Sequence, residues 1–93
     1  MTWSVIWKAR AEERLAALWL ASSNRNAMTK AAYDIDVALE VFPMTAGECL
    51  FDTVREFADP ILSVEYEVVE SERCVYVFNV WSTPEGKPEV TGN

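Results

Sequence analysis

Without a histidine, this chain must do any chemistry with carboxylates, hydroxyls, two cysteines and eight Lys and Arg side chains. A Ser-His-Asp triad, a Cys-His pair, an imidazole general base and a His-containing zinc site are all excluded. Among the cations, Arg55 has the setting that most needs an explanation. It shares strand parity with Phe51 and Phe57, so an unbulged strand turns its guanidinium toward apolar side chains, where an unpaired charge is costly. Two accounts fit: a β-bulge or structural ion pair with Glu56, Asp59 or a helix carboxylate, or an arginine lining a groove. Of the other cations, Lys8, Arg10 and Arg14 stand at the start of a first helix, Arg25 and Lys30 at a second, and Arg73 at a turn, while Lys87 falls in the C-terminal tail. Trp81, where the chain leaves its last strand, is the aromatic residue best placed to meet a partner.

The acidic pairs carry less. Glu65 and Glu67 alternate against Leu62, Val64, Tyr66 and Val68, which reads as the solvated face of a strand. Asp34 and Asp36 lie two apart on a helix and do not readily share a ligand. Cys49 and Cys74 have no CxxC spacing and are expected as small buried hydrophobes with reduced thiols. Three glycines form neither GxGxxG nor a P-loop. The aromatics suit a core better than a base-stacking platform, since the strands bearing Tyr66 and Tyr76 carry glutamates where such a platform needs cations.

These side chains must be positioned by a single small domain of 93 residues, enough for one thin core. The net charge of −7 is divided unevenly, +3 over residues 1–33 and −10 over residues 34–93. That balance argues against strong direct binding of nucleic acid, which needs local excess of Lys and Arg. No cofactor or metal is indicated. No run approaches the roughly 18 apolar residues of a membrane span, so no membrane role is expected and a cytoplasmic location is.

Residues 3–7 place Trp3, Val5 and Trp7 at period two, an opening strand. From residue 8 to about 22 the apolar positions Ala11, Leu15, Leu18, Trp19 and Ser22 follow helical spacing. After the polar break at residues 22–26, Met28, Ala31, Ile35, Ala38, Leu39 and Phe42 predict a second helix from residue 25 or 26 to 41, stopped by Pro43. Period two then returns: a strand with Cys49, Phe51, Thr53, Arg55 and Phe57 on one parity, a strand at 62–68, a polar turn at 70–73, and a last strand at 74–81. In the last, Val75, Val77 and Trp81 are expected on one face, with Cys74, Tyr76, Phe78 and Val80 on the other. The fold class is α+β, β-α-α-β-β-β, with a helical hairpin packed on one face of a mainly antiparallel four-stranded sheet. The domain spans residues 1–82, and residues 83–93 are expected to be a polar, disordered tail.

The stretches "TWSVIWKARAEERLAALWLAS", "NRNAMTKAAYDIDVALEVFP" with its following "TAGE", and "VREFADPILSVEYEVVESERCVYVFNVW" resemble the RelE/ParE family of toxins of type II toxin-antitoxin systems, the plasmid-stabilisation proteins. The resemblance covers residues 2 to about 82. It implies a helical hairpin on a curved sheet and an antitoxin that wraps the toxin with a C-terminal segment. RelE-type members cut messenger RNA on the ribosome without metal, using Lys and Arg on the sheet and a Tyr or Arg near the C-terminus. ParE-type members inhibit DNA gyrase and lack that set.

This chain has Leu62 and Ser63 where nuclease-type members commonly show an arginine, and Trp81, Ser82 and Thr83 where a basic or tyrosyl residue is expected. Metal-free phosphodiester cleavage needs cations for the developing charge and a positioned acid and base. The residues therefore favour a toxin-like protein acting by protein binding, either on its antitoxin or on a target such as gyrase, with Lys8, Arg10, Arg14, Arg73 and Trp81 as partner-binding candidates. The alternatives are a ribosome-dependent, metal-independent endoribonuclease with Arg55 as its catalytic residue, and an inactive descendant serving as an interaction module.

Overall fold

The computed structural model describes residues 2–87. Chain order is β1 (Ser4–Trp7), α1 (Ala9–Ala21), α2 (Arg25–Val41), β2 (Glu48–Phe51), β3 (Val54–Ala58), β4 (Leu62–Val69), a 3-10 turn (Glu70–Glu72) and β5 (Cys74–Ser82). The strands form one five-stranded sheet in the order β1-β5-β4-β3-β2. β1 runs parallel to β5, and every other pairing is antiparallel.

The two helices lie close to their expected bounds, for local reasons. Asn24 caps α2 by accepting the Ala27 N–H at 3.1 Å, which satisfies one of the orphan donors of the first turn. Arg25 closes the end of α1, donating to the carbonyls of Trp19 at 3.2 Å and Leu20 at 2.9 Å, where α1 has no basic residue of its own in its last turn. Beyond α2, the buried Pro43 cannot continue the helix.

Ala11 of α1 and Met28, Ala31, Ile35 and Leu39 of α2 pack on Leu62, Val64, Tyr66 and Val68 of β4 and Val75, Val77 and Val80 of β5. Full burial of such side chains contributes roughly 1.5–3 kcal/mol each. Trp19 and Phe42, expected on the helix stripes, are instead exposed. Trp19 Nε1 donates to Thr29 Oγ1 at 3.0 Å across the outside of the hairpin.

Three expectations of the sheet are corrected. The continuous strand expected through residues 49–57 is a hairpin: Phe51 is paired with Val54, Cys49 with Arg55 and Glu48 with Glu56, and Asp52 turns the chain at φ 48°. Aspartate tolerates this left-handed geometry better than most residues, so the sheet gains a fifth strand. In β5, the partner of Glu65 is Asn79 and that of Tyr66 is Val77, which leaves Phe78 as an extra, bulged residue. The bulge reverses the parity that follows. Val80 joins Val75 and Val77 under the helices, while Trp81 turns to the opposite face beside Ser63. The cysteines are free, Cys49 exposed and Cys74 partly exposed, so neither is the buried hydrophobe expected.

Residues 83–87, the first part of the expected tail, are among the described residues. Thr83 N donates to the Ile61 carbonyl at 3.0 Å, and Gly86 N to the Ser82 carbonyl at 3.0 Å, so the chain turns back after β5. Residues 88–93, which complete the expected tail, lie outside the described residues.

Candidate functional site

Residues directly opposed in a sheet share a face, and the register therefore gives the layout of the face turned away from the helices. Glu48, Glu56, Glu65 and Asn79 form one row across β2, β3, β4 and β5. A second row runs through Val54, Glu67, Tyr76 and Ile6, and a third through Ala58, Ser63 and Trp81. Four carboxylates thus lie on the face that the helices leave uncovered.

Glu65 is not solvated, contrary to the expectation for its strand face. The residue is 7% exposed. Its Oε1 accepts the Asn79 side-chain amide at 2.9 Å, and its Oε2 is paired with Lys87 Nζ. Lys87 also stands over the ring of Trp81, 5.6 Å from its centre. Ser63 Oγ and Thr83 Oγ1 are hydrogen-bonded at 2.7 Å, and Thr83 Oγ1 donates to the Asp59 carbonyl at 2.6 Å. Glu67 accepts from Thr53 Oγ1 at 2.9 Å.

At the β1 side, Lys8 stands 4.8 Å from the centre of the Tyr76 ring. Tyr76 donates to Glu72 Oε1 at 2.6 Å. That hydrogen bond, followed by desolvation and the charge of Glu72, pushes the Tyr76 phenol up to about 12. It remains protonated and serves as a donor through the neutral range.

Arg55 faces the helices, on the same side as Tyr66 opposite it. The expected carboxylate partner is absent among the described residues. The guanidinium donates instead to the Gly47 carbonyl at 2.5 Å, and its Nε is buried without a partner. Tyr66, fully buried, donates to the Pro43 carbonyl at 2.7 Å. Burial raises its phenol and the nearby Arg55 opposes that shift. Arg55 and Tyr66 thus hold both ends of the loop 43–47. A side chain at Gly47 would collide with the backbone of Glu56, which accounts for glycine at that position.

The remaining candidates are spread along β5. Arg14 Nε donates to the Val80 carbonyl at 2.9 Å, and Lys8 N to the Val77 carbonyl at 2.8 Å. Arg73, at φ 57°, stacks on Trp3 at 4.5 Å at the other end of the strand. Arg10 is exposed on the first turn of α1. Trp81 is only 4% exposed, so the ring itself is covered. Alternation along β4 predicts a solvated Glu65, and no periodicity singles out Lys87. The donor that reaches the Glu65 carboxylate, Lys87, comes from the turn after β5, and Gly86 within that turn is the sequence signal for it.

Asp34 pairs with Lys30 at 2.9 Å, whereas Asp36 accepts the Trp7 indole at 2.7 Å, so the two acids serve separate contacts. Among the described residues no cluster of carboxylates and thiols is arranged to hold a metal ion. No described helix is long and apolar enough to cross a membrane.

No protein-family model and no curated protein sequence matches the chain. Solved structures do. The toxin-antitoxin complex RelBE2 from Mycobacterium tuberculosis aligns with a TM-score of 0.74 at 13% identity, over 88% of this chain and 92% of that chain. The isolated RelE toxin of E. coli aligns at 0.65 with 12% identity, over 97% and 90% of the two chains. The chromosomal ParDE system of P. aeruginosa aligns at 0.59 with 18% identity, over 86% and 95%. Two helices on a mixed five-stranded sheet, matched over nearly their whole length by these structures, give this chain the RelE/ParE toxin fold.

Proposed function

We propose that the chain is the toxin-like component of a toxin-antitoxin system and acts by binding protein, without catalysis of its own. The observation that carries this reading is the set of carboxylates Glu48, Glu56 and Glu67, which lie on the uncovered sheet face without a cationic partner among the described residues. Messenger RNA brought to that face meets carboxylates, and like charge repels a phosphate backbone. Arg55, the cation a nuclease reading depends on, points to the helix side and is engaged by Gly47. An antitoxin is the first partner in this reading, and gyrase is the target class suggested by the ParE-like resemblance. The setting is cytoplasmic.

The test is expression alone and together with the short reading frame beside its gene. Growth arrest that the neighbour relieves, co-purification of the two products, and no cleavage of messenger RNA in a translation extract support the proposal. Normal growth together with no co-purifying neighbour overturns it. A supercoiling assay with purified gyrase then decides the target.

The ribonuclease is the second reading, and it rests on the resemblance of residues 2 to about 82 to RelE-type toxins. It requires messenger RNA cleavage in a translation extract that Arg55→Ala abolishes.

A further inference from the structure

We propose that Glu65, Asn79 and Trp81 form a cation-binding site, occupied in this structure by the chain's own Lys87 and taken in function by a Lys or Arg side chain of a partner polypeptide. The inference deepens the protein-binding reading and rests on it for the source of the cation.

The site is built as a receptor for a positive group. Its carboxylate lies in the middle of a sheet face, is nine-tenths buried, and is fixed by the Asn79 amide at 2.9 Å. A carboxylate withdrawn from water this far requires a compensating cation. Beside it lies the Trp81 ring, whose face attracts the same group. Lys87 satisfies both, paired with Glu65 and placed over Trp81.

Lys87 reaches the site only because the chain doubles back. The Ser82 carbonyl accepts from both Glu85 N at 3.1 Å and Gly86 N at 3.0 Å, and Gly86 adopts φ 84°. Thr83 anchors the base of this strap to Asp59 and Ser63. The lysine at its tip is 44% exposed. The strap is thus fixed at one end and held at the other by a side chain that solvent reaches, so Lys87 can be exchanged without unfolding the sheet.

The row explains why a polypeptide is the source. Glu56 and Glu48 continue from Glu65 to the rim strand β2. Their combined field favours a chain bearing several positive side chains over a single small cation.

The experiment follows the Trp81 indole signal by NMR, assigned with Trp81→Phe, while argininamide or a short peptide carrying three arginines is added. If the strap is closed about nine-tenths of the time, Lys87→Met binds argininamide roughly tenfold more tightly than the unaltered protein. Thr83→Val, which loosens the anchor and retains both ions, gives a smaller gain and serves if Lys87→Met does not fold. The peptide binds more tightly than argininamide, and Glu65→Gln in the Lys87→Met background removes binding of both. No gain in either strap variant, unchanged binding after Glu65→Gln, or a peptide no better than argininamide overturns the proposal. These outcomes are separate from growth arrest and co-purification, so the site can fail while the protein-binding reading stands, and the reverse.

Discussion

Glu65 and Asn79 oppose one another on β4 and β5, and the Asn79 amide donates to the Glu65 carboxylate at 2.9 Å. The contact exists only because Phe78 is bulged out immediately before Asn79, which rotates the end of β5 by one residue. Replacing Asn79 by Leu leaves a buried carboxylate oxygen without its donor. A loss of about 1–3 kcal/mol is expected in urea unfolding.

Arg55 and Tyr66 both hold the loop between α2 and β2. Tyr66→Phe removes the donor to Pro43 and costs about 1–2 kcal/mol, and Arg55→Ala costs about 1–3 kcal/mol by freeing the Gly47 carbonyl. Because the two act on one loop, their effects are expected to be non-additive in a double-mutant cycle. Additive losses would mean that the loop is not a shared unit.

Gly47 and Gly86 predict two different responses to alanine. At Gly47 the methyl group meets the backbone of Glu56, and backbone cannot swing aside as a side chain end does, so a loss of about 1–3 kcal/mol is expected. At Gly86 nothing stands within 4 Å, but φ is 84°; strain of about 1–2 kcal/mol is expected to fall on the strap. Hydrogen exchange distinguishes them: Gly47→Ala increases exchange in β2 and β3, whereas Gly86→Ala increases it only after Ser82.

Tyr76 predicts a specific alkaline titration. Its folded phenol sits at about 12, above the ordinary 10, chiefly through the hydrogen bond to Glu72. A raised folded value gives stabilisation that is complete below pH 10 and lost as pH rises through about 12. Phenolate absorbance should show Tyr76 ionising late in the unaltered protein. In Glu72→Gln its ionisation should move back toward the ordinary range, and no movement would remove Glu72 as the cause.

The helix hairpin was legible because its signals are local. Met28, Ala31, Ile35 and Leu39 repeat at helical spacing and all four are buried, Asn24 supplies the cap, and Pro43 ends the run. Period two located β4 equally well. The alternation could not reveal where strands change register. Asp52 reverses the chain without a glycine or proline, and Phe78 adds one residue to a run that is apolar at both parities, so neither disturbs the pattern. The site suffered most. Reading Glu65 as solvated followed from alternation, which assigns a face and says nothing of what later covers it; the covering residue, Lys87, comes from a segment with no periodicity.

The pairing of β1 with β5 places Ser4 opposite Cys74 and Trp7 opposite Val77. During synthesis the first strand therefore has no strand to join until almost the whole domain has left the ribosome. Helices α1 and α2 can form early, since their hydrogen bonds are local, but the sheet closes last and over the longest separation in the chain. A nascent or truncated product lacking β5 carries the apolar side chains of β1 and β4 uncovered, making it a substrate for chaperones and proteases instead of a folded competitor for the same partners.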